Sequence, residues 1–265
     1  MPFVEIESPL LPDRRSRIHV REAGAGPPLV ILHSGWGWEA YPFEAQLAAL
    51  AGEFRLVAPD RVGYGRSPRL PAFPDGYHRL FALECLAVLD AMGIERAALW
   101  GHSDGAVVAA WMAVLAPARV RGLVLESFHF WRAKSSSRPF FEAAASTPEE
   151  FGPAVVDALR RDHGEPRWRE VIGDAALAWL RIITRGEIDG GDLYDGRLGE
   201  VPCPVLLLHG AHDPRTEPGE IDGARAAFPD ARVAWLQSGH APHSSERAGP
   251  EATRVAAEFL RLLPP

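Results

Sequence analysis

Lysine is almost missing from this chain: Lys134 is the only one among 28 Lys and Arg residues. Arginine, alanine, glycine and proline abound instead, the bias of a GC-rich genome rather than a mark of function. Basic charge is short overall, and a formal net charge of -7 leaves no excess to neutralise phosphates, which excludes a nucleic-acid partner from the expectations. Two cysteines, Cys85 and Cys203, are too few for a disulfide framework and read as reduced, buried thiols of a cytoplasmic protein. No window reaches the ~18 uninterrupted apolar residues of a membrane span. The start, Met1-Pro2-Phe3-Val4-Glu5-Ile6-Glu7, has no basic stretch leading into an apolar one, so neither secretion nor a membrane partner is expected. Nothing repeats at a period of ~20–50 residues, which sets aside solenoids and propellers.

What is present is a chain of 265 residues, 47% hydrophobic, long enough to bury a core without crosslinks or metals. Short apolar runs alternate with amphipathic segments. Phe3–Glu7 and Arg17–Glu22 read as strands joined by a turn containing proline and arginine. Pro28–His33, Phe54–Pro59, Ala97–Gly101, Arg121–Glu126, Val205–His209 and Arg232–Leu236 read as further strands. Helices are predicted over Glu39–Leu50, Asp75–Met92, Asp104–Leu115, near Ile221–Phe228, and from Pro250 with Val255, Phe259 and Leu262 on one face. Strand–helix alternation of this kind gives a mostly parallel sheet covered on both faces. The alternation pauses between Phe128 and Val201. That stretch holds a helix start at Thr147-Pro148-Glu149-Glu150, capped by threonine, and a helix over Pro166–Thr184. It is too long for a loop, so residues 1–127 and 202–265 are expected to form the core and 128–201 a helical cap.

Gly101-His102-Ser103-Asp104-Gly105 places Gly-x-Ser-x-Gly between a predicted strand and a predicted helix. Turning from strand to helix within two residues strains the serine backbone, and the flanking glycines remove the clashes that side chains would make. Ser103 then stands at the C-terminal edge of the sheet, facing a helix N-terminus suited to a developing oxyanion. A serine hydroxyl needs a base, and the base an orienting acid. Loops after later strands supply both: Asp213 in Gly210-Ala211-His212-Asp213-Pro214 and His240 in Ser238-Gly239-His240. Glu126, at a strand end, is the second choice of acid. His209, His212, His240 and His243 with Asp213 lack the His-Glu-x-x-His spacing of a helical zinc site, and no metal or other cofactor is expected.

These residues make the chain resemble the α/β-hydrolase family over nearly its full length. His33-Ser34-Gly35-Trp36-Gly37 stands where family members carry an oxyanion loop, and Asp60-Arg61-Val62-Gly63-Tyr64-Gly65-Arg66-Ser67 matches Asp-x-x-Gly-x-Gly-x-Ser. The resemblance implies a Ser103–His240–Asp213 triad and an oxyanion hole of the Gly35 and Asp104 amides, with Trp36 the alternative donor. It also implies cleavage of carboxylic esters, thioesters or amides, since relatives that act on haloalkanes or epoxides carry aspartate as nucleophile. C–C bond, lactone and peracid chemistry use the same triad, and a binding protein with negligible turnover is the alternative of a different class. Trp36, Phe128 and Trp131 are expected to line an apolar pocket for a small-molecule substrate. Gly-x-Ser-Asp-Gly also resembles the valacyclovir hydrolase-like branch, which implies that Asp104 binds a substrate amine. Ala106 departs from the glycine of that branch. Oligomeric state is not legible in these residues.

Overall fold

The computed structural model describes residues 3–11 and 15–264. Eight strands form one sheet: β1 (Phe3–Glu7), β2 (Arg15–Ala23), β3 (Pro28–Leu32), β4 (Arg55–Pro59), β5 (Ala97–His102), β6 (Val120–Glu126), β7 (Val205–Gly210) and β8 (Arg232–Leu236). Their order is β1-β2-β4-β3-β5-β6-β7-β8. β1 and β2 are antiparallel to their neighbours, and all pairs from β4 to β8 are parallel. Pro12, Asp13 and Arg14, part of the expected first turn, lie outside the described residues.

The helices are α1 (Glu44–Leu50), α2 (Tyr77–Ala91), α3 (Asp104–Leu115), α4 (Arg138–Ser146), α5 (Pro153–His163), α6 (Arg167–Asp189), α7 (Glu220–Ala227) and α8 (Gly249–Arg261). Strands buried on both faces need two apolar layers, and both are present. Leu29, Ile31, Leu56, Trp100 and Leu206 pack with Leu50 of α1 and Val255, Phe259 and Leu260 of α8. Val30, Val57, Leu99 and Leu123 pack on the opposite side with Phe81 and Val88 of α2 and Val107 and Met112 of α3. α3 is buried from Asp104 to Val114, which explains why its sequence is apolar all round. Among the described residues no helix is long and apolar enough to cross a membrane.

Three local expectations are corrected. The first helix starts at Glu44, not Glu39: Trp38 to Tyr41 is closed as a turn by the Tyr41 N–H on the Trp38 carbonyl, and Pro42 has no N–H to continue a helix through it. Pro148–Phe151 is one 3-10 turn, stopped by Gly152 at φ 93°, and the Thr147 side chain makes no capping bond. Leu262 is 80% exposed, and Leu263 takes the buried place beside Phe259 because the helix has ended at Arg261.

α4, α5 and α6 fill the interval between β6 and β7, and side chains from the 154–163 and 167–189 stretches reach the core. Asp162 accepts hydrogen bonds from the Trp38 and Glu39 amides. His163 accepts from the Gly65 amide through Nδ1 and donates through Nε2 to the Trp36 carbonyl. These bonds tie α5 to the loops after β3 and β4.

Candidate active site

The parallel order sets where chemistry can occur. The chain turns one way from β3 to β4 and the other to β5, so a crevice opens at their C-terminal ends. Ser103 sits there, between β5 and α3, with φ 55° and ψ -120°, a left-handed conformation rare for a side-chain-bearing residue. Two contacts explain the glycines around it. A Cβ at Gly105 would lie 2.0 Å from the Leu32 carbonyl oxygen, and one at Gly101 would lie 2.2 Å from that of Gly105.

β7 and β8 deliver the other two residues. Asp213 follows β7 and accepts the Arg215 amide, which fixes its carboxylate in the turn. His240 follows β8, and its backbone carbonyl accepts from Ser127 Oγ and His102 Nε2. A carboxylate only accepts here, so His240 Nδ1–H donates to Asp213, at 3.0 and 2.9 Å from its two oxygens. His240 Nε2 is therefore the bare nitrogen, and Ser103 Oγ–H donates to it at 2.9 Å. Burial pushes the His240 imidazole down to about 4, and the Arg215 charge adds to this, while the Asp213 bond opposes it. The ring is thus neutral at neutral pH, with Nε2 free to accept a proton. Burial alone would raise Asp213, but the His240 hydrogen bond and charge hold it below the usual carboxylate range.

The loop after β3 is braced from below. Arg61, itself buried, donates to the carbonyls of His33 and Ser34, while Ser67 Oγ bonds the Asp60 carbonyl. The Asp-x-x-Gly-x-Gly-x-Ser segment is therefore a support for this loop. Trp36 N–H is already donated to Ser34 Oγ at 3.2 Å. Asp104 opens α3, so its amide has no acceptor within the helix. Gly35 lies against it so closely that a Cβ would come 2.8 Å from Asp104 Oδ2.

A cavity of about 410 Å³, counted with its open mouth, is lined by Ser103, Gly35, Trp36, Phe140, Phe141 and Trp179 among others. Phe128 and Trp131, expected in this lining, are not there. Phe128 is fully buried and stacks on Tyr194 at 5.4 Å, and Trp131 packs on Phe130 where Gly223 of α7 leaves room. Ser127 causes this: its φ of 50° turns the chain after β6 and sends Phe128 into the core.

The same turn brings in a residue that sequence reading missed. His129 Nε2 lies 3.3 Å from Ser103 Oγ, and its ring stacks with that of His240 at 5.7 Å. Since Ser103 gives its proton to His240, His129 donates to Ser103 Oγ through Nε2–H. Burial holds His129 neutral, well below the ordinary histidine range. Its place just past a parallel strand was the available signal. Arg215 is the second missed residue. It lines the cavity with its guanidinium 3.8 Å from the Phe140 ring centre.

Asp104 lines the cavity too, but its carboxylate is engaged. Trp179 Nε1 donates to Oδ1 at 2.8 Å, Tyr77 OH to Oδ2 at 3.2 Å, and His78 Nε2 lies 3.6 Å away. Glu126 does not reach His240. It accepts from Trp100 Nε1 and from the amide and Nδ1 of His243. Of the histidines weighed as a metal set, His212 bonds Gln237, and His209 bonds Thr216 with its Nε2 3.6 Å from Asp213. Among the described residues, His102, Glu126 and His243 do bring ligand atoms within 4.8 Å of one another. Both Glu126 oxygens and both His243 nitrogens there already engage protein groups.

A parallel sheet of this order, with a serine turn at β5 and an acid and histidine after β7 and β8, defines a hydrolase of the α/β type. The chain belongs to the α/β-hydrolase family: the model of the alpha/beta hydrolase fold matches residues 27–170. It is 31% identical to haloalkane dehalogenase 2 of Mycobacterium tuberculosis, covering 96% of this chain and 94% of that protein. It is 30% identical to the pimeloyl-[acyl-carrier protein] methyl ester esterase of Nitrosomonas europaea, covering 86% and 94%. Among solved structures, an esterase from Rhodococcus sp. ECU1013 superposes with a TM-score of 0.72 at 23% identity over the whole of both chains. An enol-lactonase from Burkholderia xenovorans gives 0.70 at 21% identity, covering 93% of this chain and 97% of that one.

Proposed function

We propose that this protein is a cytoplasmic serine hydrolase that cleaves carboxylic esters through an acyl-enzyme, with residues 128–201 acting as a cap over the site. The carrying observation is the unbroken hydrogen-bond chain from Ser103 through His240 to Asp213. Neutral His240 takes the Ser103 proton as Oγ attacks the carbonyl, gives it to the leaving alcohol, and then activates water for deacylation. Asp213 holds the Nδ1–H tautomer and stabilises the imidazolium. The oxyanion faces the amides of Gly35 and Asp104, because Trp36 N–H is spoken for by Ser34. Trp36, Phe140, Phe141 and Trp179 supply the apolar wall.

Dehalogenation, the activity named for one relative, does not fit Ser103. Serine attack on an alkyl halide leaves an ether, which offers water no carbonyl to attack. The methyl ester esterase is the relative whose named reaction this site suits. Amine recognition by Asp104 is not part of the proposal, since Trp179 and Tyr77 already occupy its oxygens. We read Asp104 as a strut joining α3 to α2 and α6.

Hydrolysis of short-chain p-nitrophenyl esters by wild type and Ser103→Ala, with a chelator control, tests this. Turnover lost in the variant and indifferent to chelator supports it. Activity surviving in Ser103→Ala refutes it. Labelling of Ser103 by a fluorophosphonate without turnover would favour a binding protein instead.

A further inference from the structure

Arg215 sits two residues past the candidate acid, and its own guanidinium takes no part in the hydrogen bonds there. Its backbone is fixed, with the amide donating to Asp213 and the carbonyl accepting from Ser137. Its guanidinium carbon lies over Phe140, 3.8 Å from the ring centre, and 5.8 Å from that of Trp36. Among the described residues no carboxylate or carbonyl pairs with this guanidinium, although most arginines here are paired. Arg21, Arg55, Arg138 and Arg261 all meet acids. A partly buried guanidinium held over an aromatic face, with its five donors unused, is built to receive a planar anion.

The surroundings say from where the anion comes. Arg215 and Ser103 line one cavity, and the rings between them form a continuous wall. Phe140 stacks on Trp36 at 5.3 Å, Trp36 on Tyr41 at 6.2 Å, and Tyr41 lies edge-on to His240 at 6.3 Å. A molecule spanning this wall is apolar in the middle and anionic at one end. Among the described residues Asp104 is the only acid in the lining, and its two oxygens are engaged by donors from Trp179 and Tyr77.

Building on the ester-hydrolase reading, we propose that the substrate carries a carboxylate, bound by Arg215 within the cavity that Ser103 lines. The substrate class is the half-ester of a dicarboxylic acid, or an ester whose alcohol bears the acid. Bidentate pairing holds such a molecule with its carbonyl at Ser103, so the binding enters kcat/KM.

The test compares mono-p-nitrophenyl succinate, glutarate and adipate with neutral p-nitrophenyl esters of matched length, which places the carboxylate on the acyl side. 4-Acetoxybenzoate against phenyl acetate places it on the alcohol side. Wild type should favour the anionic member of one series in kcat/KM. Arg215→Gln should reduce that preference by about 10- to 100-fold, and Arg215→Lys should keep part of it. A separate arm needs no turnover: titration calorimetry of glutarate on Ser103→Ala, with and without Arg215→Gln. Binding that disappears with Arg215 supports the proposal even where no ester is turned over. An anionic-to-neutral ratio unchanged in Arg215→Gln, or glutarate binding equal in both proteins, overturns it and leaves the esterase reading standing.

Discussion

Six buried imidazoles, those of His33, His102, His129, His163, His209 and His240, are held below the ordinary histidine range, chiefly by burial. For His209 and His240 the value is about 4. In the unfolded chain each returns to about 6.5. Above that pH both states are neutral at these sites, and stability does not change. As pH falls below it, the unfolded chain takes up protons that the folded one refuses, so stability is lost until the folded values are reached. At about pH 5.5 His209 and His240 each remove about 1.4 kcal/mol, and the other buried histidines act in the same direction. Glu84 opposes this. Burial raises it to about 7, so protonation on the way down restores stability, on the order of 2 kcal/mol. Carboxylates held low, such as Asp60 and Asp213, lose their contribution only below about pH 5. The net change between about pH 7.5 and 5.5 is a loss of stability, because the six histidines together outweigh Glu84. Urea unfolding followed by tryptophan fluorescence at several pH values measures it. Calorimetry in buffers of different ionisation enthalpy counts the protons, with a net uptake of more than one expected on unfolding near pH 5.5. A stability flat across this range, or an uptake under one proton, would refute the claim that these histidines are neutral.

Other perturbations have equally definite outcomes. Asp213→Asn presents an amide donor to His240 Nδ1, which leaves Nε2–H facing Ser103; ester kcat should fall about ten-thousandfold with the melting temperature little changed. Gly105→Ala drives a methyl into the Leu32 carbonyl, so soluble yield and thermal stability should fall by about 3 kcal/mol or more; a fold of normal stability would mean that the elbow has slack. Lys134→Met leaves Glu220 as a buried charge without its cation, and denaturant unfolding should register a loss of about 3–5 kcal/mol. His129→Ala removes a neutral donor to Ser103 Oγ, and kcat/KM should drop about fivefold to tenfold, with Ser103 still labelled by fluorophosphonate.

Much of this architecture is local in origin, and what is local was legible. Short apolar runs carried the strands, and Gly-x-Ser-x-Gly carried the turn at Ser103, because those signals come from neighbours in the chain. Asp213 and His240 were legible because parallel strands put every following loop on one edge. Long-range placement was not legible. The role of Arg61 under the oxyanion loop rests on carbonyls 27 and 28 positions away. The positive φ at Ser127 exchanged Phe128 for His129 in the site, and no periodicity announces such a rotation. Asp104 looked free beside the nucleophile until Trp179, 75 residues on, supplied its donor. The sequence by itself determined the sheet, the turn at the nucleophile and the candidate triad. Only the tertiary structure decided which side chains face the cavity, because that depends on contacts between segments far apart in the chain. Among the described residues, the same contacts left the Arg215 guanidinium without a carboxylate partner.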